Sequence, residues 1–274
     1  MKKINSFLLT TSLLSVSLTA CTNDDSNAVP IQMEYNYCTQ EELNLRESPY
    51  RLFSNPNLWS LQYPSGTVNG GMKTTPITED YKSKYFSLYK NENGNEYLRF
   101  SLDASDQGKS TNGSSVRAEL SSTKSWTLTG KNALSYKFYL TSTDLSQARF
   151  TVGQFLQRCD SKDSPLCRIE LENGSITAKV INYEKDGTTK ADGTTHNYDM
   201  GTIRQNQEVS IKIASDAKTM TLWRDSKIMA THTFHQNVRS DYNNYFKAGI
   251  YYQNKDSPKI FSEIFMRDLE VTFD

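Results

Sequence analysis

Hydrophobic and polar residues alternate with a period of two through most of the chain. Leu134, Tyr136, Phe138 and Leu140 alternate with Ala133, Ser135, Lys137 and Tyr139. Val209, Ile211 and Ile213 alternate with Ser210 and Lys212, and Leu269, Val271 and Phe273 with Asp268, Glu270 and Thr272. This period predicts half-buried strands, each with one face toward a core. Glu172-Asn173-Gly174, Lys185-Asp186-Gly187, Ala191-Asp192-Gly193 and Ser215-Asp216 supply turn residues between them. No long 3.6-residue period is present; a short helix near residues 39–46, stopped by Pro49, is the exception predicted. Many strands without crossover helices predict an all-β fold, an antiparallel β-sandwich or jelly roll. A large sandwich of this kind can curve and leave one sheet with a concave groove.

The N-terminus breaks the pattern. Lys2 and Lys3 precede an apolar run from Phe7 to Leu18, and Leu18-Thr19-Ala20-Cys21 follows. A basic start, a short apolar core and small residues before a cut predict an export signal over residues 1–20 rather than a membrane-spanning helix. A cysteine directly after Leu-Thr-Ala resembles the bacterial lipobox. That predicts a lipid on Cys21, a polar tether over residues 21–45 and a β domain over 46–274; a plain secretory signal with a coincidental Cys21 is the alternative. The expectation is an exported bacterial lipoprotein at the outer membrane or cell surface, touching the membrane only through its lipid.

Charge and cysteine usage narrow the partners. The chain has 31 basic and 31 acidic residues. Loss of residues 1–20 takes two lysines, leaving 29 basic against 31 acidic residues. No basic excess points to nucleic acid, so a polyanion site must come from local clustering of cations. Cys159 and Cys167 bracket DSKDSPL, and in an exported protein that spacing predicts a local disulfide closing a hairpin loop. No Cys-x-x-Cys or paired histidines support a metal there, and no metal or other cofactor is expected. Cys38 is left over.

Three predicted strands carry chemistry on their polar faces. In Val116–Ser121, Arg117 and Glu119 share one face and can pair laterally. In Arg149–Leu156, Gln154 stands among apolar residues and needs a partner or ligand if buried. In YFKAGIYYQ, residues 245–253, Tyr245, Lys247, Gly249, Tyr251 and Gln253 face one way, and Phe246, Ala248, Ile250 and Tyr252 the other. Each alone also fits a bland structural role: a surface ion pair, a satisfied polar group, a solvated face.

Together, in this order, the three segments resemble alginate lyases of polysaccharide lyase family 7. The likeness runs from about residue 45 to the C-terminus. It rests on RAELS at 117–121, QFL at 154–156 and YFKAGIYYQ at 245–253, with PLCRIELENGSITAKV after the second segment. The family motifs are Arg-x-Glu-Leu-Arg, Gln-Ile/Val-His and Tyr-Phe-Lys-Ala-Gly-x-Tyr-x-Gln. Two departures stand out: Ser121 replaces the last arginine, and Leu156 replaces the histidine taken as the base for guluronate units.

The resemblance implies a jelly roll, a monomer and cofactor-free β-elimination on an anionic polysaccharide, most simply alginate. Such an enzyme removes the C5 proton α to a carboxylate and expels the 4-O-linked sugar. Arg117 and Gln154 would neutralise the carboxylate as it becomes an aci-carboxylate, and Glu119 would orient Arg117. Lys247, with Tyr245 and Gln253, would bind uronate; Lys247 could also favour ionisation of Tyr251. Tyr251 would protonate the leaving oxygen and, with Leu156 in place of histidine, also take the C5 proton. One residue can do both only in syn elimination, which suits mannuronate or another syn-eliminable uronate. His196, His232 and His235 are weaker candidates for the missing base. The alternatives are a lyase for another polyuronate such as glucuronan, or a non-catalytic polyuronate-binding lipoprotein. A glycoside hydrolase would need facing carboxylates, with Glu119 and Glu263 the only tempting pair.

Overall fold

A computed structural model describes residues 46–67, 71–106, 116–141, 143–252 and 260–274. Residues 1–20, Cys21, Cys38 and Gln253 lie outside the described residues, as does the helix expected near 39–46 apart from Arg46.

Among the described residues the chain forms fifteen strands. The first five are β1 (Trp59–Pro64), β2 (Met72–Pro76), β3 (Phe86–Lys90), β4 (Glu96–Leu102) and β5 (Arg117–Ser122). Then come β6 (Lys131–Tyr139), β7 (Arg149–Arg158), β8 (Asp163–Glu172), β9 (Ser175–Val180) and β10 (His196–Thr202). The last five are β11 (Val209–Asp216), β12 (Thr219–Arg224), β13 (Lys227–Thr233), β14 (Asn244–Tyr251) and β15 (Ser262–Phe273). The helical residues among them form two single 3₁₀ turns, Tyr50–Leu52 and Pro56–Leu58.

The strands make two antiparallel sheets. One has eight strands in the order β10-β9-β8-β7-β14-β5-β1-β2, the other seven in the order β13-β12-β11-β6-β15-β4-β3. Non-sequential neighbours, such as β14 between β5 and β7, mark the crossed connections of a jelly roll. The alternation in the sequence decides which side of each strand enters the core. Leu134, Tyr136 and Phe138 of β6, Ile211 and Ile213 of β11, and Phe246, Ala248 and Ile250 of β14 are buried between the sheets. Each large side chain there contributes on the order of 1.5–3 kcal/mol. Gly153 of β7 makes room for one of them, because a Cβ at this position would lie 2.3 Å from the Tyr136 hydroxyl oxygen.

The turn residues act nearly as predicted. Asn173-Gly174 joins β8 to β9, both residues at positive φ. Ser215-Asp216 is not a turn: both stay paired within β11, and the chain reverses one residue later, with Ala217 at φ 49°. The alternation in β15 is interrupted by a bulge between Arg267 and Glu270, where Asp268 adopts φ 52°.

The expected Cys159–Cys167 disulfide is absent, and both thiols are free. Cys167 pairs in register with Phe155 and points into the core, whereas Cys159 lies at the hairpin tip, beyond the Arg158–Asp163 pair. Several ladder positions separate them, too far for a bridge whose Cα atoms must come within about 7 Å. Burial pushes the Cys159 thiol up to about 11.

Candidate active site

Strands β1, β5, β14, β7 and β8 lie side by side in the eight-stranded sheet and bring the three sequence segments together. Gln62 stands opposite Glu119, Arg117 opposite Tyr251, Lys247 opposite Gln154, and Gln154 opposite Arg168. Inward neighbours such as Leu61, Ala118, Leu120 and Phe246 hold these strands to the core, so the polar residues share the outer face.

Glu119 is the hub. Its carboxylate is fully buried and accepts a hydrogen bond from Gln154 Nε2. Its Oε2 lies 3.4 Å from an Arg117 terminal nitrogen and 3.5 Å from Lys247 Nζ. A buried carboxylate is tolerated when cations and donors surround it in this way. The lateral Arg117–Glu119 pair expected from the sequence is therefore present, but it is sunk in the sheet rather than solvated.

Lys247 is buried more deeply than its outward parity alone implies. Only 4% of it is exposed, and its ammonium donates to Gln62 Oε1 at 2.6 Å. Burial pulls its pKa down to about 8 against the opposing pull of Glu119. Arg117 lies over the other key side chain: its guanidinium carbon is 4.0 Å from the centre of the half-buried Tyr251 ring. Charge, amide and phenol thus meet where β5, β14 and β7 run together.

Gly249 lets β5 approach. A Cβ there would lie 2.4 Å from the Ala118 carbonyl oxygen and 2.7 Å from the Glu119 Cα, and the residue holds φ 144°. Gly249 thereby sets the distance between the strand carrying Tyr251 and the strand carrying Arg117 and Glu119.

Around Leu156 the site is apolar and closed. Leu156 is 7% exposed and stands opposite Tyr245 in the ladder. Tyr245 is itself buried, and its hydroxyl donates to Asp163 Oδ2 at 2.7 Å. Burial first, and Asp163 second, push this phenol well above its ordinary pKa, so it stays neutral. It is placed as a structural phenol more than as a free sugar contact.

The three histidines gather elsewhere. His196 starts β10 and His232 belongs to β13, with ring centres 4.8 Å apart. His196 pairs with Asp192, while His232 contacts Tyr198 and Asn182; the His235 backbone NH also donates to Asn182. β10 is four strands from β14, and β13 belongs to the other sheet. Glu263 is likewise remote in role, on β15 with Arg99 as partner, so it does not face Glu119 across a cleft. Among the described residues no group of His, Cys, Asp and Glu is arranged to hold a metal ion.

Three participants were missed by the sequence reading. Gln62 had only its outward parity in WSLQYP as a signal. Arg168 and Glu170 repeat the Arg-x-Glu spacing of residues 117–119, and that repeat could have found them. Glu170 is held by Arg168 at 3.1 Å and by Lys179 at 2.5 Å, extending the charged face outward from Gln154.

Comparison with known proteins agrees with this geometry. The protein-family model described as alginate lyase matches residues 54–273. Among solved structures, alginate lyase A1-II' of family 7, crystallised with product GGG, superimposes with a TM-score of 0.68 at 19% identity. That match covers 83% of this chain and all of the other. Alginate lyase AlyC3 in complex with dimannuronate gives 0.67 at 18% identity, covering 85% and 96% of the two chains. Alginate lyase PA1167 from Pseudomonas aeruginosa gives 0.64 at 20%, covering 80% and 100%. No curated protein matches the chain.

Proposed function

The chain belongs to the alginate lyase family and is a polysaccharide lyase; on that premise we propose that it cleaves a polyuronate, alginate at mannuronate-type linkages, by syn β-elimination. The observation that carries the proposal is the pairing of Arg117 and Tyr251 beside Gln154, with Leu156 where a histidine base would stand. Arg117 and the second amide hydrogen of Gln154 neutralise the substrate carboxylate, which makes the C5 proton removable. Tyr251 takes that proton and returns one to the departing O4, both on one side of the ring. Anti elimination needs a second base on the opposite side. Leu156 cannot supply it, the neutral Tyr245 is a poor substitute, and the histidines are held by other partners. Solved relatives carry a GGG product in one case and dimannuronate in another, so the shared fold accommodates both sugar types and the choice must lie in such side chains.

Lys247 acts from beneath as a buried cation, drawing the uronate carboxylate toward Arg117 and Gln154. Export as a lipoprotein through Cys21 would place this chemistry outside the cell, where polymeric substrate is met. The test is the ultraviolet absorbance of the unsaturated product formed from alginate. Wild-type protein should generate it, and Tyr251→Phe should lower the rate at least a thousandfold while still binding polymer. Tyr251→Phe with near wild-type turnover would sink the mechanism. Polymer binding without any unsaturated product from the wild type, on alginate or glucuronan, would favour the non-catalytic reading.

A further inference from the structure

The outer face of the seven-stranded sheet carries a second built surface. One ladder row crosses four adjacent strands: Trp223 of β12, Lys212 of β11, Ser135 of β6 and Glu270 of β15 are successive partners. At a strand spacing of about 4.8 Å the row is roughly 14 Å long. Beside it Ser210 pairs with Lys137, whose ammonium lies 2.8 Å from Asp268. Two irregularities shape the ground between them. One is the β15 bulge between Arg267 and Glu270, and the other a register shift between Leu222 and Trp223 beside the indole; bulges bend a strand and locally increase its twist. They leave a hollow of about 540 Å³ lined by these side chains.

The chemistry of the lining is selective. Trp223 offers a flat apolar face, and Lys212 Nζ stands 5.1 Å from the centre of its ring. Ser135, Ser210 and Glu270 offer hydrogen-bond partners for hydroxyls. A uronic acid presents all three complements: a C–H face for the indole, a carboxylate for Lys212 and ring hydroxyls for the serines and Glu270. A neutral sugar would leave the lysine unanswered. We propose that this hollow is a second, non-catalytic binding site for a strand of the polyuronate substrate, on the sheet opposite the active site. The identity of the ligand rests on the substrate reading above. Its role would be to hold the enzyme to long chains while a separate stretch is cleaved.

The experiment uses the full domain carrying Tyr251→Phe, so that polymer is not consumed. Retention is measured in gels containing polymannuronate, with a neutral glucan as the control polymer. Trp223→Ala should weaken retention by about fivefold or more, the scale of a lost aromatic platform, and Lys212→Gln should also weaken it. Neither change, in the otherwise wild-type enzyme, should alter cleavage of short oligomers. A folding-independent readout exists: of the three tryptophans, Trp59 and Trp126 are buried, so polymer contact in the Tyr251→Phe protein with Trp223 intact should perturb the fluorescence of Trp223. Equal retention of all variants, equal retention by the neutral glucan, or no fluorescence response would overturn the second site. Loss of retention on adding Trp223→Ala, when the protein with Tyr251 intact cleaves no polyuronate, would sink the active-site reading and leave this one standing. Cleavage with unchanged retention does the reverse.

Discussion

Two patches, one on the outer face of each sheet, are built from the same alternation, yet they treat charge differently. On the eight-stranded sheet the Arg117–Glu119 pair has side chains 13% and 0% exposed, and Lys247 is sealed beneath it. On the seven-stranded sheet the Lys137–Asp268 pair has side chains 41% and 53% exposed. A solvated pair gains little because water already serves both ions. A buried carboxylate ringed by cations has no such fallback, so each member depends on the others. The contrast teaches that the first patch holds its charged groups in fixed positions, as stabilising a transition state requires, while the solvated pair of the second is free to make reversible contacts.

The largest expected effect breaks the buried side of this comparison. Glu119→Gln removes the anion that Arg117, Lys247 and Gln154 share and leaves buried positive charge uncompensated. It should cost about 3–5 kcal/mol of stability in denaturant unfolding and abolish turnover. A loss below about 1 kcal/mol would show that the hub is no more coupled than a surface pair. Next comes Gly249→Ala, which forces a methyl group against Ala118 and Glu119. A loss of roughly 1–3 kcal/mol is expected from overpacking, with turnover falling further than stability because Arg117 and Tyr251 move apart.

A third prediction concerns pH. Burial holds Lys247 at about 8, below its ordinary value, so its charge is present under that pH and lost above it. KM for polyuronate should therefore rise as pH increases from about 7 to 9, and Lys247→Gln should flatten that rise. An unchanged KM across this range in the wild type would remove Lys247 from substrate capture. The smallest effect belongs to the open face. Lys137→Ala should shift stability by less than about 1 kcal/mol, and an effect as large as that of Glu119→Gln would erase the contrast between the faces.

Much of this was legible in the sequence because a strand's period of two is rigid. The parity of β6, β11 and β14 assigned inward and outward residues correctly, and the RAE and YFKAGIYYQ segments named Arg117, Glu119, Lys247 and Tyr251 as candidates. Depth was not legible: parity says which side a lysine faces, not that Gln62 and Glu119 will close over it. The purpose of Gly249 was not legible, because the missing Cβ points at a strand distant in sequence. The cysteine spacing misled because eight positions across a hairpin tip are not opposed in register. Asp268 reads as an ordinary outward residue, and its bulge depends on how β15 must fit against both β6 and β4.

The central claim is that Tyr251 acts without a second base because Leu156 occupies that place. Initial rates on pure polymannuronate and pure polyguluronate, compared at equal uronate concentration and ionic strength, test it most directly. The account predicts release of unsaturated product from polymannuronate with little or none from polyguluronate. Rapid cleavage of polyguluronate would contradict it.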